Sequence, residues 1–421
     1  MEKLKKLFKV IGPGFITGAS DDDPSGIGTY SQTGAQFGYT QLWTALFSYP
    51  FMTVIQEMCG RIGMVTGKGL AGIIKRHYPR WILYFSVLLL VIANTINIGA
   101  DLGAMASSGQ MLLGVPFIFW LLTMTVASLI LQVLVPYPQY ARFLKYLTLA
   151  LFAYIITAFI VKQPWHSVLK ATFIPSFSFS KPYLLNIVAI LGTTISPYLF
   201  FWQANEEVEQ EIEEHKIEAI GQGRPKINKC DIRDMRIDTM VGMLFSNLVM
   251  YFIIVTVAST LGVHNIRNIE TATQAAQALK PLAGDFAFLL FAAGIIGTGF
   301  LAVPILAGSA SYAVAETFGW DEGLGKKFNE ARGFYGVIIA CTLIGLLVNF
   351  TSIPPFKMLY YTAIFNGLCA PPLMIIIMLI SNNQKIMGKY TNSGFSNAMG
   401  WIITILMTIA AIAVLLTINQ G

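Results

Sequence analysis

Residues 12–28 read GPGFITGASDDDPSGIG, and they lie inside the first apolar stretch of the chain. Pro24 has no N–H and disfavours helical backbone at Asp23, and the glycines at positions 26 and 28 loosen the turn further. Three successive carboxylates, at positions 21–23, stand beside this break. Burying one charge in a bilayer costs roughly 3 kcal/mol or more, so such acids persist where they face a cavity and meet a cation. The segment therefore predicts a broken helix with an ion site.

The composition indicates that lipid is the main solvent of this chain. Of its 421 residues, 55% are hydrophobic and only 12% are charged, whereas soluble domains carry roughly 25% charged residues. The net charge of +6 is spread over short loops, where basic residues set membrane orientation, and it does not indicate nucleic-acid binding. The four cysteines are far apart in the sequence and predict neither a disulfide framework nor a zinc site.

Eleven apolar stretches are candidate membrane spans, because a spanning helix needs about 20 apolar residues. They fall at about 10–36, 41–64, 81–110, 115–135, 141–161, 184–205, 238–262, 283–316, 333–350, 357–380 and 398–418. The first stretch is weak by hydropathy and counts only if its polar centre is buried in protein. The pattern predicts an all-α polytopic membrane protein of eleven transmembrane helices, with one transmembrane domain over residues 1–421.

Basic residues in the loops predict the orientation of these helices. One set of alternate loops carries most of them: Lys3, Lys5, Lys6 and Lys9; Lys68, Lys75, Arg76 and Arg80; Arg142 and Lys145; segment 206–237; Lys326, Lys327 and Arg332; and Lys385 and Lys389. The positive-inside bias places this set in the cytoplasm of a cell with a bacterial-type plasma membrane, which puts the C-terminus outside after eleven spans. Segment 162–182, on the predicted outer side, also carries three lysines and is an exception.

A second break is predicted at Gly192-Thr193-Thr194-Ile195-Ser196-Pro197-Tyr198, inside the sixth stretch. A proline again follows small hydroxyl residues in an apolar helix, although Pro-kinked helices without a ligand are common in membrane proteins. Two breaks five helices apart, one with an acidic triplet, favour an inverted-repeat transporter with an ion site near the membrane midplane. The predicted repeats cover about 10–161 and 184–380, with an extra helix at about 398–418.

The longest polar stretch is 206–237, which opens with six glutamates and then turns basic. We interpret it as a solvated cytoplasmic helix end and loop, because runs of charge usually form solvated faces. A metal-sensing acidic patch is the alternative interpretation.

These motifs resemble those of the natural-resistance-associated macrophage protein (NRAMP) family of divalent metal transporters. The resemblance rests on Gly12-Pro13-Gly14, Asp23-Pro24, Val65-Thr66-Gly67-Lys68 and Pro197, and it covers nearly the whole chain in order. It implies the inverted-repeat fold of the leucine-transporter (LeuT) type with broken helices 1 and 6. It also implies a metal ion carried by alternating access, no enzymatic activity and no cofactor. We expect the protein to be a monomer.

Two departures from the family motifs change the predicted ion site. The family reads Asp-Pro-Gly-Asn in the first helix and Met-Pro-His in the sixth, so its metal-binding Asn becomes Gly26 and its metal-binding Met becomes Ser196. Its metal-binding Asp is retained as Asp23, and the residue whose carbonyl binds metal corresponds to Thr193. Together with Ser25, these residues form an oxygen-only and roomier site that suits a hard, partly hydrated ion. We therefore predict Mg²⁺, with Mn²⁺ second, as in the family's branch of related magnesium transporters.

A second set of departures concerns proton coupling. The family's third helix reads Asp-Leu-Ala-Glu where this chain has Asp101–Ala104 (DLGA), and its sixth-helix His is Tyr198 here. A further titratable position of the family falls near Asn94, which cannot titrate. Stretch 333–350 has no interior arginine pair. A proton relay needs groups that change charge, so we predict passive or weakly coupled uptake. The alternative is that Asp101 with Asp23 carries a proton, as in a proton-coupled Mn²⁺/Fe²⁺ transporter of the main family type.

Six further polar residues are predicted to line the site or its inner vestibule: Asp22, Asp101, Tyr198, Gln203, Asn247 and Asn366. For the amides, hydrogen bonding between helices is the default and contact with metal-bound water is the alternative. Asn366 is the preferred candidate because it precedes Gly367 in a helix that is also predicted to be broken, by Pro371-Pro372. Asp22 is expected to attract cations without binding them directly. Glu57 and Arg61 are expected to form a structural pair or an inner gate.

Two other functions were weighed against metal transport. A sodium-coupled organic-solute carrier on the same fold would hold an anionic group at half-helix N-termini, but the acidic triplet repels a carboxylate. A membrane receptor or enzyme has no support, because the sequence contains no nucleotide-binding loop, nucleophile elbow or His/Cys/Asp constellation. Transport of a divalent metal ion is therefore the leading prediction.

Overall fold

A computed structural model describes residues 12–135, 147–264 and 266–418 of the chain. Within these ranges the secondary structure is helical, and most connections are short. In chain order the helices are α1 (Pro13–Asp21), α2 (Pro24–Phe37), α3 (Trp43–Thr66), α4 (Leu70–His77), α5 (Arg80–Leu113), α6 (Phe117–Leu134), α7 (Phe152–Ile160), α8 (Trp165–Phe173), α9 (Lys181–Thr194), α10 (Pro197–Glu213), α11 (Lys229–Val257), α12 (Ala272–Ala276), α13 (Lys280–Ala283), α14 (Ala287–Phe318), α15 (Arg332–Val348), α16 (Pro355–Ser381), α17 (Gln384–Met387) and α18 (Gly394–Ile418).

The apolar helices agree with the predicted spans. In the described part of the chain, seven helical segments are long and apolar enough to cross a membrane: Arg80–Leu113, Phe117–Leu134, Lys181–Glu213, Lys229–Gly262, Ala272–Phe318, Pro355–Ser381 and Gly394–Leu416. Leu149–Ile160 and Arg332–Val348 are shorter apolar helices. Together with α1–α2 and with α3, they account for the eleven predicted stretches, and the all-α polytopic fold is confirmed. Two groups of basic residues used to predict the orientation lie outside the described residues. They are the lysines of residues 1–11 and, at the start of the fifth stretch, Arg142 and Lys145.

The first helix is broken where the sequence predicts it. α1 ends at Asp21, Asp22 leaves the helix (φ −85°, ψ 47°), and Asp23 is extended (φ −66°, ψ 169°) before Pro24 begins α2. The weak hydropathy of this stretch is explained by burial, because Asp21, Asp22 and Asp23 are all buried inside the protein.

The sixth helix is broken in the same way. α9 ends at Thr194, and Ile195 (φ −123°, ψ 62°) and Ser196 (φ −83°, ψ 134°) separate it from α10, which begins at Pro197. In both breaks a proline takes the first helical position, where a missing N–H removes no intrahelical hydrogen bond. The two prolines therefore start new half-helices rather than kinking continuous ones.

Small residues let neighbouring helices approach the broken ones closely. A Cβ placed on Gly18 of α1 would lie 2.2 Å from the backbone carbon of Gly242 on α11. A Cβ placed on Gly192 of α9 would lie 2.1 Å from the carbonyl oxygen of Ala363 and 2.3 Å from the nitrogen of Gly367 on α16. Such contacts are typical of membrane helix packing, and they fix the half-helices next to each break.

Those loops predicted to be cytoplasmic that the structure describes lie together at the end of the bundle where α1 begins. Lys68 donates to the carbonyl of Gly221 at 3.1 Å, and Lys75 donates to the carbonyl of Glu316 at 3.0 Å. We call this end the N-terminal end of the bundle; it is formed by loops 67–69, 214–228, 319–331 and 382–393. The side of the membrane that it faces stays a prediction.

The predicted pair between Glu57 and Arg61 forms at this N-terminal end. The Nε atom of Arg61 lies 3.0 Å from Oε1 of Glu57, and Nε of Arg236 on α11 lies 2.7 Å from the same oxygen. Arg61 also donates to Oδ1 of Asn392 at 2.6 Å. The pair thus ties α3 to α11 and to the loop after α17.

The prediction that the acidic run 206–237 is solvated is wrong for part of it. α10 continues to Glu213, so Glu207 and Glu211 follow each other by one helical turn on the same face. That face is covered, and the two side chains are only 4% and 2% exposed, whereas Glu213 is exposed. Helical periodicity within this run of charges places Glu207 and Glu211, four residues apart, on the buried face of α10.

Candidate functional site

Asp23 occupies the first break and caps the second half-helix. Its Oδ1 accepts the backbone N–H of Gly26 at 2.6 Å and the hydroxyl of Ser25 at 2.8 Å. Its Oδ2 accepts Nδ2 of Asn97 from α5 at 3.1 Å. An N-cap carboxylate at the positive end of a helix dipole is a stabilised anion, which explains how Asp23 can be 1% exposed.

Ser196 occupies the equivalent position in the second break but bonds in the opposite direction. Its hydroxyl donates to the carbonyl of Gly192 at 2.9 Å and to that of Thr193 at 2.8 Å. These carbonyls belong to the last turn of α9, whose normal partners are lost at the break. The second break therefore offers hydroxyl and carbonyl oxygens.

The two breaks meet each other inside the protein. A Cβ on Gly26 would lie 3.3 Å from Oγ1 of Thr193, so the first half-helix turn of α2 contacts the end of α9. The hydroxyl of Tyr198 on α10 donates to the carbonyl of Ser20 on α1 at 3.0 Å. These contacts bring Asp23, Ser25, Gly26, Thr193, Ser196 and Tyr198 into one region.

The prediction of a roomier pocket at Gly26 is wrong for this conformation. A Cβ there would lie 3.1 Å from the carbonyl oxygen of Asp21 as well as 3.3 Å from Thr193. The carbonyl of Asp21 and the hydroxyl of Thr193 therefore occupy the space that an asparagine side chain would fill.

Two further carboxylates of the triplet face α11. Oδ2 of Asp21 accepts the hydroxyl of Ser246 at 2.6 Å, and Oδ1 of Asp22 lies at 3.3 Å from the same hydroxyl. Oδ1 of Asp21 and Oδ2 of Asp22 are buried without a hydrogen-bond partner among the described residues. The Asp22 side chain is therefore buried beside the first break and does not lie on the protein surface.

Asp101 adds a fourth buried carboxylate from α5. It follows Asn97 by one helical turn and lies within electrostatic reach of Asp23. Neither of its oxygens has a hydrogen-bond partner of ordinary geometry in the part of the chain described. The region of the two breaks thus concentrates four carboxyl groups in a low-dielectric interior.

Mixed oxygen donors are what this region can offer to a cation. Across residues 12–135, 147–264 and 266–418, no three His, Cys, Asp or Glu side chains converge closely enough to hold a metal ion. An ion at the breaks would have to combine the Asp23 carboxylate with hydroxyl, amide and backbone oxygens or with water. Such donors suit hard cations.

The predicted amides take different positions around the site. Asn247 donates to Oγ of Ser48 at 3.1 Å and to the sulfur of Met52 at 3.5 Å, so it links α11 to α3. Gln203 donates to Oε1 of Glu207 at 2.7 Å, toward the N-terminal end. Asn366 is buried on α16, one residue before the glycine that packs against α9, and its Nδ2 has no partner among the described residues. The predicted break at Pro371-Pro372 is wrong, because α16 is continuous over Pro355–Ser381 with both prolines inside it.

Asn97 and Ser246 belong to the site although no sequence motif predicts them. Asn97 precedes Asp101 by four residues and therefore shares its helix face, a signal that the sequence did contain. Its Oδ1 is buried without a partner in the described residues, while its Nδ2 binds Asp23. Ser246 is adjacent to Asn247, which the sequence analysis chose instead.

Comparison with known families finds one match that covers nearly the whole chain. Residues 14–417 match the natural resistance-associated macrophage protein-like family. A divalent metal cation transporter MntH of Caldanaerobacter subterraneus subsp. tengcongensis is 25% identical over 413 residues, covering 95% of this chain and 91% of the relative. A divalent metal cation transporter MntH of Deinococcus radiodurans is 24% identical over 424 residues, covering 96% and 88%.

Solved structures show the same fold. The manganese transporter of Eremococcus coleocola superposes with a TM-score of 0.77 at 16% identity, over 98% of this chain and 87% of that one. Mhp1, a nucleobase-cation-symport-1 family transporter, superposes in its inward-facing conformation with a TM-score of 0.59 at 12% identity, over 97% and 89%. Both likenesses support the LeuT-type fold with broken helices 1 and 6.

The curated relatives are metal-ion transporters, not enzymes, and in such proteins the metal is the cargo and not a cofactor. Since the family match spans residues 14–417, the chain belongs to the natural resistance-associated macrophage protein-like family.

Proposed function

We propose that this protein transports divalent metal cations, with Mg²⁺ as its main substrate and Mn²⁺ as a second. The ion binds partly hydrated between the two breaks, at Asp23, Ser25, Gly26, Thr193 and Ser196. The observation that carries the proposal is the chemistry of the second break, where the hydroxyl of Ser196 lies on two freed carbonyls. Oxygen donors favour hard ions, and Mg²⁺ in particular keeps several waters.

Asn97 completes the proposed ligand set. Its Oδ1 is buried without a partner among the described residues, and its Nδ2 holds Asp23 at 3.1 Å. Rotation of this amide brings its oxygen to the ion directly, and a water bound to that oxygen would connect the two indirectly; either way α5 takes the place of the asparagine that Gly26 replaces. Asp22, Asp101, Tyr198 and Asn366 surround the ion, and Gln203 lies on its path toward the N-terminal end.

The opening of the site requires a change of conformation. The contact between Gly26 and Thr193 leaves no room for a hydrated ion between them, with a built Cβ only 3.3 Å from Oγ1. We therefore assign this conformation to a closed stage of alternating access. The two inverted repeats, about 10–161 and 184–380, move relative to each other to admit the ion, with the N-terminal end facing the cytoplasm. The protein acts as a monomer in this proposal.

Transport is passive or weakly coupled to protons in this proposal. Asn94 donates to the carbonyl of Leu306 at 2.8 Å and to Ser309 at 2.7 Å, which is a structural role, and Tyr198 holds the backbone of Ser20. Asp101 is the group that favours the alternative, a proton-coupled Mn²⁺/Fe²⁺ transporter of the main family type, because it is buried near Asp23.

The test is uptake into liposomes that contain the purified protein, a Mg²⁺ dye and, in a parallel set, a pH dye. An inward Mg²⁺ gradient should produce Mg²⁺ uptake without acidification of the lumen. Acidification that depends on Mg²⁺ would refute the uncoupled mechanism. Uptake of Mn²⁺ that an excess of Mg²⁺ does not reduce would refute Mg²⁺ as the main substrate.

A further inference from the structure

The buried part of the acidic run lines a cavity that lies away from the two breaks. This cavity has a volume of about 160 Å³ and lies at the N-terminal end between α1, α10 and α11. In the described residues its wall contains one lysine, Lys216, and six carboxylates: Glu207, Glu211, Glu214, Asp231, Asp234 and Asp238. Pro13, the first residue of α1, also forms part of the wall.

Glu211 is the acid of this wall whose side-chain oxygens have no hydrogen-bond partner in the described residues. It is 2% exposed, and both of these oxygens are buried. Glu207, one turn earlier on the same face, is 4% exposed and receives only the amide of Gln203, at 2.7 Å. Two carboxylates one turn apart on a covered helix face repel each other when both are ionised, and a cation between them would remove that repulsion.

Lys216 forms its ion pairs with two other acids of the wall. Its Nζ lies 2.7 Å from Oε2 of Glu214 and 3.1 Å from Oδ1 of Asp231. Burial tends to raise the pKa of Glu214. Hydrogen bonds from Lys216 and Gln210 outweigh this effect and hold that pKa below its usual range. The one lysine of the wall is therefore already committed to a different pair of acids.

The opposite wall holds the beginning of α1. Asp238 of α11 accepts the N–H of Gly12 at 3.0 Å, of Gly14 at 2.7 Å and of Phe15 at 3.2 Å. It therefore replaces an N-cap residue for α1 and fixes that half-helix to α11. Any ligand that draws Glu207 and Glu211 toward Asp238 would strengthen the packing of α10, α1 and α11 at this end.

A divalent cation matches the cavity in charge, donor type and size. Leaving charged carboxylates buried without a partner is costly, and carboxylate oxygens are the usual ligands of Mg²⁺, Mn²⁺ and Ca²⁺. No three acids of the described residues converge on one point, so the ion keeps part of its water shell. A water needs about 10–15 Å³ of such space, so a cavity of about 160 Å³ accommodates an ion with its first shell.

We propose that this cavity is a second, non-transport site for a hard divalent cation, with Glu211 and Glu207 of α10 as ligands and Asp238 of α11 opposite them. The bound ion holds α1, α10 and α11 together and thereby slows opening of the N-terminal end. Because alternating access requires each end to open in turn, the ion that accumulates at this end limits further transport. This regulatory role rests on the proposed function, whereas the binding site itself does not.

The binding test counts Mn²⁺ ions bound to the purified full-length protein by calorimetry and by paramagnetic resonance. We expect two sites in the unmodified protein and one in Asp23→Ala. Adding Glu211→Gln to Asp23→Ala should weaken the remaining site at least about tenfold, which is about 1.4 kcal/mol. Adding Glu213→Gln instead is the matched control, because Glu213 is exposed on the same helix, and it should leave the site unchanged.

Thermal unfolding keeps the test decisive if Glu211→Gln changes expression. Mn²⁺ should raise the Tm of Asp23→Ala but not of Asp23→Ala with Glu211→Gln or with Glu207→Gln. Absence of Mn²⁺ binding to Asp23→Ala, or equal binding with and without Glu211→Gln, would overturn the proposal. Two ions that both survive Asp23→Ala would refute the transport site and support this one.

The regulatory role is tested by uptake into liposomes preloaded with Mg²⁺. Preloading should slow initial uptake by the unmodified protein and by Glu213→Gln, and it should slow Glu211→Gln at least about threefold less. If preloading slowed Glu211→Gln as much as the unmodified protein, the regulatory role would be overturned. Binding of internal Mg²⁺ to the transport site would then be enough to explain the slower uptake.

Discussion

The two helix breaks meet the same backbone requirement with opposite side-chain chemistry. At the first break, the carboxylate of Asp23 accepts the Gly26 N–H and the Ser25 hydroxyl at the start of α2. At the second, the hydroxyl of Ser196 donates to the carbonyls of Gly192 and Thr193 at the end of α9. The first break therefore surrounds an anionic carboxylate with hydrogen-bond donors. The second break combines a hydroxyl with neutral carbonyl oxygens.

This difference assigns different tasks to the two breaks. The first supplies the formal charge that makes a divalent ion bind at all, because hydroxyls and carbonyls alone pay little of the cost of dehydrating it. The second supplies the donor type that decides which divalent ion is preferred, because thioether and hydroxyl differ in softness and not in charge. Substitutions at the first break should affect all ions, and substitutions at the second should reorder them.

The largest expected effect is at Asp23. Asp23→Ala and Asp23→Asn should both reduce uptake of Mg²⁺ and Mn²⁺ to background, because both remove the charge. Asparagine still caps a helix, so Asp23→Asn should keep the Tm, whereas Asp23→Ala should lose about 1 kcal/mol of stability. Uptake and Tm are measured on the same preparations. Near-normal uptake by Asp23→Asn would mean that the cap, and not the charge, is what the first break supplies.

Asn97→Ala should have the next largest effect. Groups that orient a metal ligand typically contribute about 10-fold to 100-fold in affinity, so we expect Mg²⁺ binding to weaken by at least about tenfold. Asn94→Ala on the same helix is the matched control, because Asn94 bonds to Leu306 and Ser309 and not to the breaks. Calorimetry should show lower stability but unchanged affinity for the control. An equal loss of affinity in both variants would remove Asn97 from the site.

Ser196→Met should reorder the ions without abolishing transport. The thioether should shift the ratio of Cd²⁺ to Mg²⁺ binding by about tenfold in favour of Cd²⁺, or about 1.4 kcal/mol. Ser196→Ala is the control that removes the hydroxyl without adding sulfur, and it should weaken Mg²⁺ binding without improving Cd²⁺ binding. Competition between the two ions in one uptake assay gives the ratio directly. An unaltered ratio would contradict the assignment of selectivity to the second break.

Tyr198→Phe should have the smallest effect. It removes one hydrogen bond, at 3.0 Å, between the hydroxyl and the carbonyl of Ser20. Such a bond contributes about 1 kcal/mol, so stability should fall by that amount and the uptake rate should change by no more than about fivefold. Chemical denaturation and initial uptake rates provide the two measurements. Complete loss of uptake with normal folding would place Tyr198 among the residues that contact the ion.

The sequence allowed both breaks to be located because their signals are local. Pro24 and Pro197 each end the helix before them and begin the one after, and this follows from the ring and the missing N–H. The partnership of Asp23 with Asn97 could not be predicted in the same way, because 74 residues separate them and only the packing of α5 brings them together. Ser246 was missed for the same reason, since its bond to Asp21 joins residues that are 225 positions apart.

Two errors of the sequence analysis have physical causes that are visible in the fold. The absence of a side chain at Gly26 predicts free space, but the carbonyl oxygen of Asp21 and the side-chain hydroxyl of Thr193 lie where a side chain would be. The glutamate run was treated as one solvated block, but a helix divides such a run between faces. Glu207 and Glu211 are buried, and Glu213 is exposed.

The central claim, that charge comes from Asp23 and hardness from Ser196, is tested most directly by one uptake experiment. Liposomes containing the unmodified protein, Asp23→Asn or Ser196→Met receive equal Mg²⁺ and Cd²⁺, and both ions are counted inside over time. We predict mainly Mg²⁺ with the unmodified protein, neither ion with Asp23→Asn, and mainly Cd²⁺ with Ser196→Met. The same proportion of the two ions with the unmodified protein and with Ser196→Met would contradict the claim.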